Sequence, residues 1–238
     1  MAIKIILFDL DGTLLPMNQD AFVKTYFGLL AKKLANFGYE PEKLVQSVWA
    51  GTKAMVQNNS DKTNEAVFWD KFAQIYGEEA RKDIVHFDEF YEQHFDEVRL
   101  AAQYNPAVPN VIKEIKNLGY RMALTTNPIF PKIATKKRIA WAGLSAGDFE
   151  YYTTYENCYR SKPNLEYYQN VIKHLDVLPE ECLLVGNDVD EDMVASKIGI
   201  NVFLLTDCMI NANNKDISQF NKGNFDDLLE FIKNLENN

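Results

Sequence analysis

The stretch KIILFDLDGTL, residues 4–14, decides how the rest of the chain is read. From residue 3 to residue 8 the run is apolar and rich in β-branched side chains, broken only by Lys4, and it stops at once in acids and a glycine. That is the pattern of a buried strand feeding a tight loop. The loop offers Asp9, Asp11, Gly12 and Thr13. Leu10 separates the two acids, so both carboxylates can face one side of an extended backbone. Carboxylates at the end of a buried strand lose hydration, a cost that a cation or a proton must offset.

Working outward, the segment after Pro16 changes period. Phe22, Tyr26, Leu29, Leu30, Leu34 and Phe37 recur at three and four residues, predicting a helix over 20–37 that Gly38 closes. Pro41 starts a second helix through Val45, Val48 and Trp49. Thr63 opens a third that Gly77 stops, and a fourth is predicted over roughly 79–100. Four amphipathic helices in a row predict a helical bundle inserted after the first strand. From Tyr104 strands and helices alternate. Strands are expected at 121–125, 150–154, 182–185 and 201–205, with helices at 106–118, 131–142, 163–174, 191–198 and 225–235. That rhythm predicts an α/β fold, a doubly wound parallel sheet with right-handed crossovers. The expected organisation is a core formed by 1–16 and 104–238, with a helical cap over 17–103.

Bulk properties bound the chemistry. At 238 residues and 47% hydrophobic, the chain can bury one full core and a second small one. A net charge of −9 argues against nucleic acid or an anionic membrane as the main partner. No run approaches a membrane span or a signal-peptide core. Cys158, Cys182 and Cys208 make no paired spacing, so reduced thiols and a cytoplasmic location are expected. His86, His94 and His174 have no partner at ligand spacing and read as surface residues, as do Asp83, Asp88, Glu92 and Asp96.

Ligands of an open α/β sheet bind beyond the carboxyl ends of its strands. Besides Asp9 and Asp11, three signals fall there. Thr126 and Asn127 follow the run RMALT. Lys162 precedes Pro163 at a helix start, where an isolated lysine is electrostatically odd unless an anion lies in front of it. The run LLVGNDVDEDM ends a buried strand in Asp188, Asp190, Glu191 and Asp192, with Asp188 and Asp192 on one face if the segment turns helical.

These four segments, in this order, resemble the four motifs of the haloacid dehalogenase-like hydrolase superfamily, and the helical block resembles the cap inserted between its first and second motifs. The resemblance runs from residue 3 to about residue 206. It implies a phosphatase of a small phosphomonoester (a sugar phosphate, nucleotide or phosphoglycolate-like compound) working through an aspartyl-phosphate. Asp9 would be the nucleophile, Asp11 the general acid and base, and Thr126, Asn127 and Lys162 the phosphoryl-binding groups. Carboxylate ligands from Asp9 and Asp188 suit Mg²⁺ better than Zn²⁺, and the resemblance adds the Asp11 backbone carbonyl. Asp192 would act behind the metal or steady Lys162. Asn187, between the glycine and the first acid, departs from the commonest fourth motif and leaves Glu191 or Asp190 open for the second acidic position. Asp11 disfavours a dehalogenase, which needs no acid for a halide. A phosphomutase keeps both acids, and a regulatory member would keep the fold without turnover. In the cap, the segment around Trp49, Gly51, Lys53 and Met55 either faces the site or is bundle core with a wet lysine.

Overall fold

The structure, a computed structural model, describes residues 2–235. The first strand, β1 (Ile5–Phe8), is fully buried along its length, as a strand covered on both faces must be. It sits inside a six-stranded parallel sheet with β2 (Arg121–Leu124), β3 (Tyr151–Tyr152), β4 (Cys182–Gly186), β5 (Asn201–Leu205) and β6 (Asn221–Gly223), in the order β3-β2-β1-β4-β5-β6. Alternate side chains feed two cores. Ile6, Phe8, Leu124 and Val185 pack on one face with α5 (Ala107–Asn117), α6 (Lys132–Trp141) and α8 (Phe225–Leu235). Ile5, Leu7, Leu184 and Leu204 pack on the other with α7 (Leu165–His174). The strand order reverses at β1, between β2 and β4, so the crevice at their carboxyl ends is where a ligand belongs.

Between β1 and β2 lie α1 (Gln19–Leu34), α2 (Pro41–Val56), α3 (Asn64–Tyr76) and α4 (Ile84–Gln93). Pro41 opens α2 and Thr63 caps α3, as expected, and Asn18 caps α1, with Asn18 and Thr63 accepting backbone N–H groups of the first turns. The apolar core of these helices is continuous with that of the sheet, through Phe95 stacked on Trp141 at 5.0 Å and Tyr26 against Phe130 at 5.5 Å. A second junction is polar. The N-terminus of α3 docks on the loops after β2 and β3, with Asn64 N donating to Cys158 O (2.8 Å) and Glu65 N to Tyr155 O (2.8 Å). The Asn64 side-chain amide, fully buried, reaches Pro128 O (3.1 Å) and Ser161 Oγ (3.0 Å). No helix among the described residues is long and apolar enough to cross a membrane.

Some expectations change. The fourth cap helix is shorter than 79–100: α4 is flanked by 3₁₀ turns at Glu78–Asp83 and Phe95–Ala101, because side chains three apart line up in either geometry. The helix at 191–198 is a 3₁₀ segment, Met193–Ile198. The strand at 150–154 pairs only at Tyr151 and Tyr152, and β6 forms from polar residues with no apolar signal. The acids Asp83 and Asp96 are not merely solvated, since Asp83 accepts from the Tyr39 hydroxyl at 2.6 Å and Asp96 from Trp141 Nε1 at 2.9 Å. His86 stacks on Phe37, with ring centroids 3.6 Å apart.

Candidate active site

Past Phe8 the chain turns sharply at Gly12, whose φ of +86° suits glycine and whose missing side chain lets Asn187 approach. That turn lifts Asp9 and Asp11 to the end of the sheet. The Thr13 hydroxyl lies 2.9 Å from both Asp9 Oδ2 and Asn187 Oδ1, its single proton serving one of them at a time. Asn187 thus ties the first loop to the fourth, and its Nδ2 donates onward to Cys208 O at 2.7 Å.

Lys162, 1% exposed, crosses from the β3 side and donates to Asp9 Oδ1 (2.8 Å) and Asp192 Oδ1 (2.6 Å). Burial alone would lower its pKa, but the carboxylates of Asp192 and Asp9 overcome that and raise it well above the usual lysine value. Asp192 Oδ2 accepts the backbone N–H groups of Asn187 (3.1 Å) and Asp188 (3.0 Å), an approach open only because Gly186 has no side chain. Burial nonetheless pushes Asp192 up to about 6. Asp188 Oδ1 accepts from the N–H groups of Asp190 (2.8 Å) and Glu191 (2.9 Å), so the acidic run is a tight turn rather than a helix face. Asp190 turns away to Lys215 and Asn213. Glu191, held by Asn127 Nδ2 at 3.2 Å, is pushed up to about 7 by burial, with Asp192 and Asp188 adding to it.

One member of the site was not expected. Arg138 on α6 is 1% exposed and ion-pairs through Nη1 with Asp11 Oδ2, its guanidinium lying 4.6 Å over the Phe130 ring. Burial raises the pKa of Asp11, Arg138 pulls it back and Asp9 raises it again. The signal was present in the spacing: Arg138 falls four residues after Ala134 and three before Trp141, on the buried face of α6. The Thr126 hydroxyl also helps to lower the Asp11 pKa, and Asp11 Oδ1 is buried with no hydrogen-bond partner. Asn127 Oδ1 is likewise buried without a partner.

The residues singled out from the sequence therefore converge. Asp9, Asp11, Thr126, Asn127, Asp188 and Asp192 share one cavity of about 280 Å³, with Lys162 behind Asp9. Of the cap segment, Trp49 and Thr52 also line it, whereas Lys53 is exposed and Met55 buried. The family model for haloacid dehalogenase-like hydrolases matches residues 3–198. The chain belongs to that family. A phosphoglycolate phosphatase of Aquifex aeolicus (strain VF5) is 28% identical over 200 residues, covering 82% of this chain and 80% of that protein. A pyrophosphatase PpaX of Bacillus cereus (strain G9842) is 26% identical over 190 residues, covering 79% and 76%. The fold matches a 2-haloacid dehalogenase of Pseudomonas syringae pv. Tomato DC3000 with a TM-score of 0.66 at 18% identity, over 98% of this chain and 99% of that one. The chain is thus a hydrolase, with a helical cap over a Rossmann-like sheet.

Proposed function

We propose that the chain is a Mg²⁺-dependent phosphatase of a small phosphomonoester, working through an aspartyl-phosphate. The observation that carries the reading is the array in which Lys162 holds Asp9 while Asp11 stands on the same cavity wall under Arg138. The names of the curated relatives, both hydrolases of phosphate compounds, support it.

In the first step an Asp9 oxygen attacks phosphorus and the bond from phosphorus to the ester oxygen breaks. Asp11 gives its proton to the departing oxygen, which leaves as an alcohol. Water then attacks the phosphorus of the acyl phosphate, Asp11 takes a proton from it, and phosphate and free Asp9 result. Lys162 holds Asp9 in place, and Thr126 and Asn127 face the phosphoryl oxygens, where positioning and charge matter most. Five carboxylates line the cavity (Asp9, Asp11, Asp188, Glu191 and Asp192) against the two buried cations behind them, and Asp11 Oδ1 has no partner. Among the described residues no group of three or more His, Cys, Asp or Glu is arranged to hold a metal ion. The surplus of hard oxygen donors nevertheless fits Mg²⁺, held by the Asp9 and Asp188 side chains with the Asp11 carbonyl. When bound it would supply positive charge against the phosphoryl oxygens.

Residues 17–103 would act as the cap that excludes water, over a core of 1–16 and 104–238. The three free thiols, two of them buried, fit a reducing cytoplasm. The test is hydrolysis of acetyl phosphate and of a panel of phosphomonoesters, with Mg²⁺ and with EDTA. Release of phosphate only with Mg²⁺ is expected; no turnover on any of them would overturn the reading.

A further inference from the structure

We infer that the substrate's leaving group is uncharged and largely apolar, about the size of one ring, and that esters of acidic or cationic alcohols are poor substrates. This rests on the phosphatase reading and narrows it to a substrate class. The cavity over Asp9 has two unlike halves. Its floor is acidic, as described. Its walls carry ten aromatic side chains, drawn from four cap helices and two core loops, among them Phe22, Tyr26, Trp49, Phe68, Trp69 and Tyr91. No lysine, arginine or histidine lines it among the described residues. Lys162 and Arg138 lie behind the floor and are already paired with acids.

A leaving group bearing a carboxylate or a second phosphate would have to shed its water against these rings, with no cation to meet it and with like charge beneath it. A quaternary ammonium could lie on aromatic faces. Here, however, the rings pack on one another, Phe68 on Trp69 and Trp69 on Phe87 edge to face and Phe22 on Tyr26 stacked, as they do in an apolar core. Most of the polar groups on these walls are spent internally, the Tyr26 and Tyr91 hydroxyls bonding each other at 2.7 Å and Thr52 Oγ1 returning to Val48 O at 2.9 Å, while the buried Trp69 Nε1 is left without a partner as a single donor. Little remains to recognise the hydroxyls of a sugar. The volume of 280 Å³ holds roughly nine waters' worth of liquid, or roughly a phosphoryl group and one six-membered ring on a short linker. Trp49, 48% exposed, stands where the cavity meets solvent.

The test compares esters of primary alcohols, so that the leaving oxygen is chemically alike in each: 2-phenylethyl phosphate, 2-phosphoglycolate, phosphocholine and a hexose 6-phosphate. Acetyl phosphate, too small to need the walls, reports catalysis by itself. The expected result is a kcat/KM for 2-phenylethyl phosphate about a hundredfold above the other three, from burial of the ring. Thr52→Lys, which puts a cation on the wall, should move the ratio of 2-phenylethyl phosphate to 2-phosphoglycolate at least tenfold towards the acid. Turnover of acetyl phosphate with equal or greater preference for 2-phosphoglycolate, phosphocholine or the hexose phosphate overturns this inference alone. Failure on acetyl phosphate and all the esters overturns the phosphatase reading beneath it.

Discussion

Replacing Arg138 by methionine separates what this residue does for folding from what it does for the reaction. The guanidinium is 1% exposed and the Asp11 side chain 25% exposed, so the pair is buried on one side only. Removing one member of a fully buried pair costs about 3–5 kcal/mol. The water that reaches Asp11, and its freedom to take up a proton, bring the expectation to the lower end, and loss of the contact with Phe130 adds about 0.5–1 kcal/mol. A total near 4 kcal/mol in a chain of 238 residues lowers Tm by roughly 8–16 °C. For hydrolysis of the aspartyl-phosphate, the step in which Asp11 must be ionised and the one acetyl phosphate isolates because acetate leaves without a proton, the catalytic effect has a definite sign. Arg138 opposes the burial that raises the Asp11 pKa, so its loss lets that pKa climb. Less Asp11 is then ionised to accept the proton of the attacking water, and the rate falls most at low pH. The acidic limb of the kcat profile should move to higher pH, with kcat down by about 10²-fold or more near neutrality. Arg138→Lys keeps the charge but loses the fork, and should restore part of the pH profile and less of the stability. Thermal melts and pH–rate profiles on acetyl phosphate check this. A methionine variant that melts lower but keeps the parental profile refutes the link to Asp11 and leaves Arg138 a packing residue.

Asp9→Asn should fold normally and release no phosphate, since the amide is similar in size but a poor nucleophile, and Asp11→Asn should lose about 10²–10⁴ in rate; parental turnover in the Asp9 variant would end the covalent mechanism. Asp188→Ala should raise the Mg²⁺ concentration for half-maximal turnover far more than Asp190→Ala, because Asp190 points to Lys215 and Asn213. Should titration show the Asp190 variant to be the worse, the metal position moves with it. Burial pushes the thiols of Cys158 and Cys182 up to about 12, so at pH 8 roughly one molecule in ten thousand carries the thiolate at either, and alkylation should speed up about tenfold per pH unit until the chain unfolds. Mass spectrometry after iodoacetamide at pH 8 should find Cys208, the most exposed of the three, labelled first.

The α/β fold and the positions of the polar groups were legible because they rest on short-range grammar. A buried run that breaks off in Asp or Thr at Asp9, Thr126 and Asp188 announces a strand end, and parallel strands bring their ends together. Lys162 was legible for a similar reason, being a charge placed where a helix start disfavours it. Arg138 was missed because its partner lies more than a hundred residues earlier in the chain, and three basic residues in a row on a helix read as solvated. Its place on the buried face was the clue. The aromatic walls were hidden differently: the periodic Phe, Tyr and Trp of four helices look the same whether they fill a bundle or surround a void. The limits of α4 and of the 193–198 turn were blurred because apolar spacing of three suits both α and 3₁₀ geometry.

The docking of α3 has a kinetic consequence. Asn64 and Glu65 bond to the loop that continues into Lys162, and Asn64 also to Pro128 O in the loop after β2, so lifting the cap on that side means parting those bonds together. At about 1 kcal/mol each, the set costs on the order of 4 kcal/mol, which leaves about one molecule in a thousand open on that side at any moment. A ligand that can enter only through that fraction sees its association rate cut by the same factor. The exchange of the Asn64 and Glu65 amides with deuterium would then act as a clock for entry. Loosening the anchor with Asn64→Ala should quicken both the exchange and the capture of substrate, while weakening the grip on what has already entered.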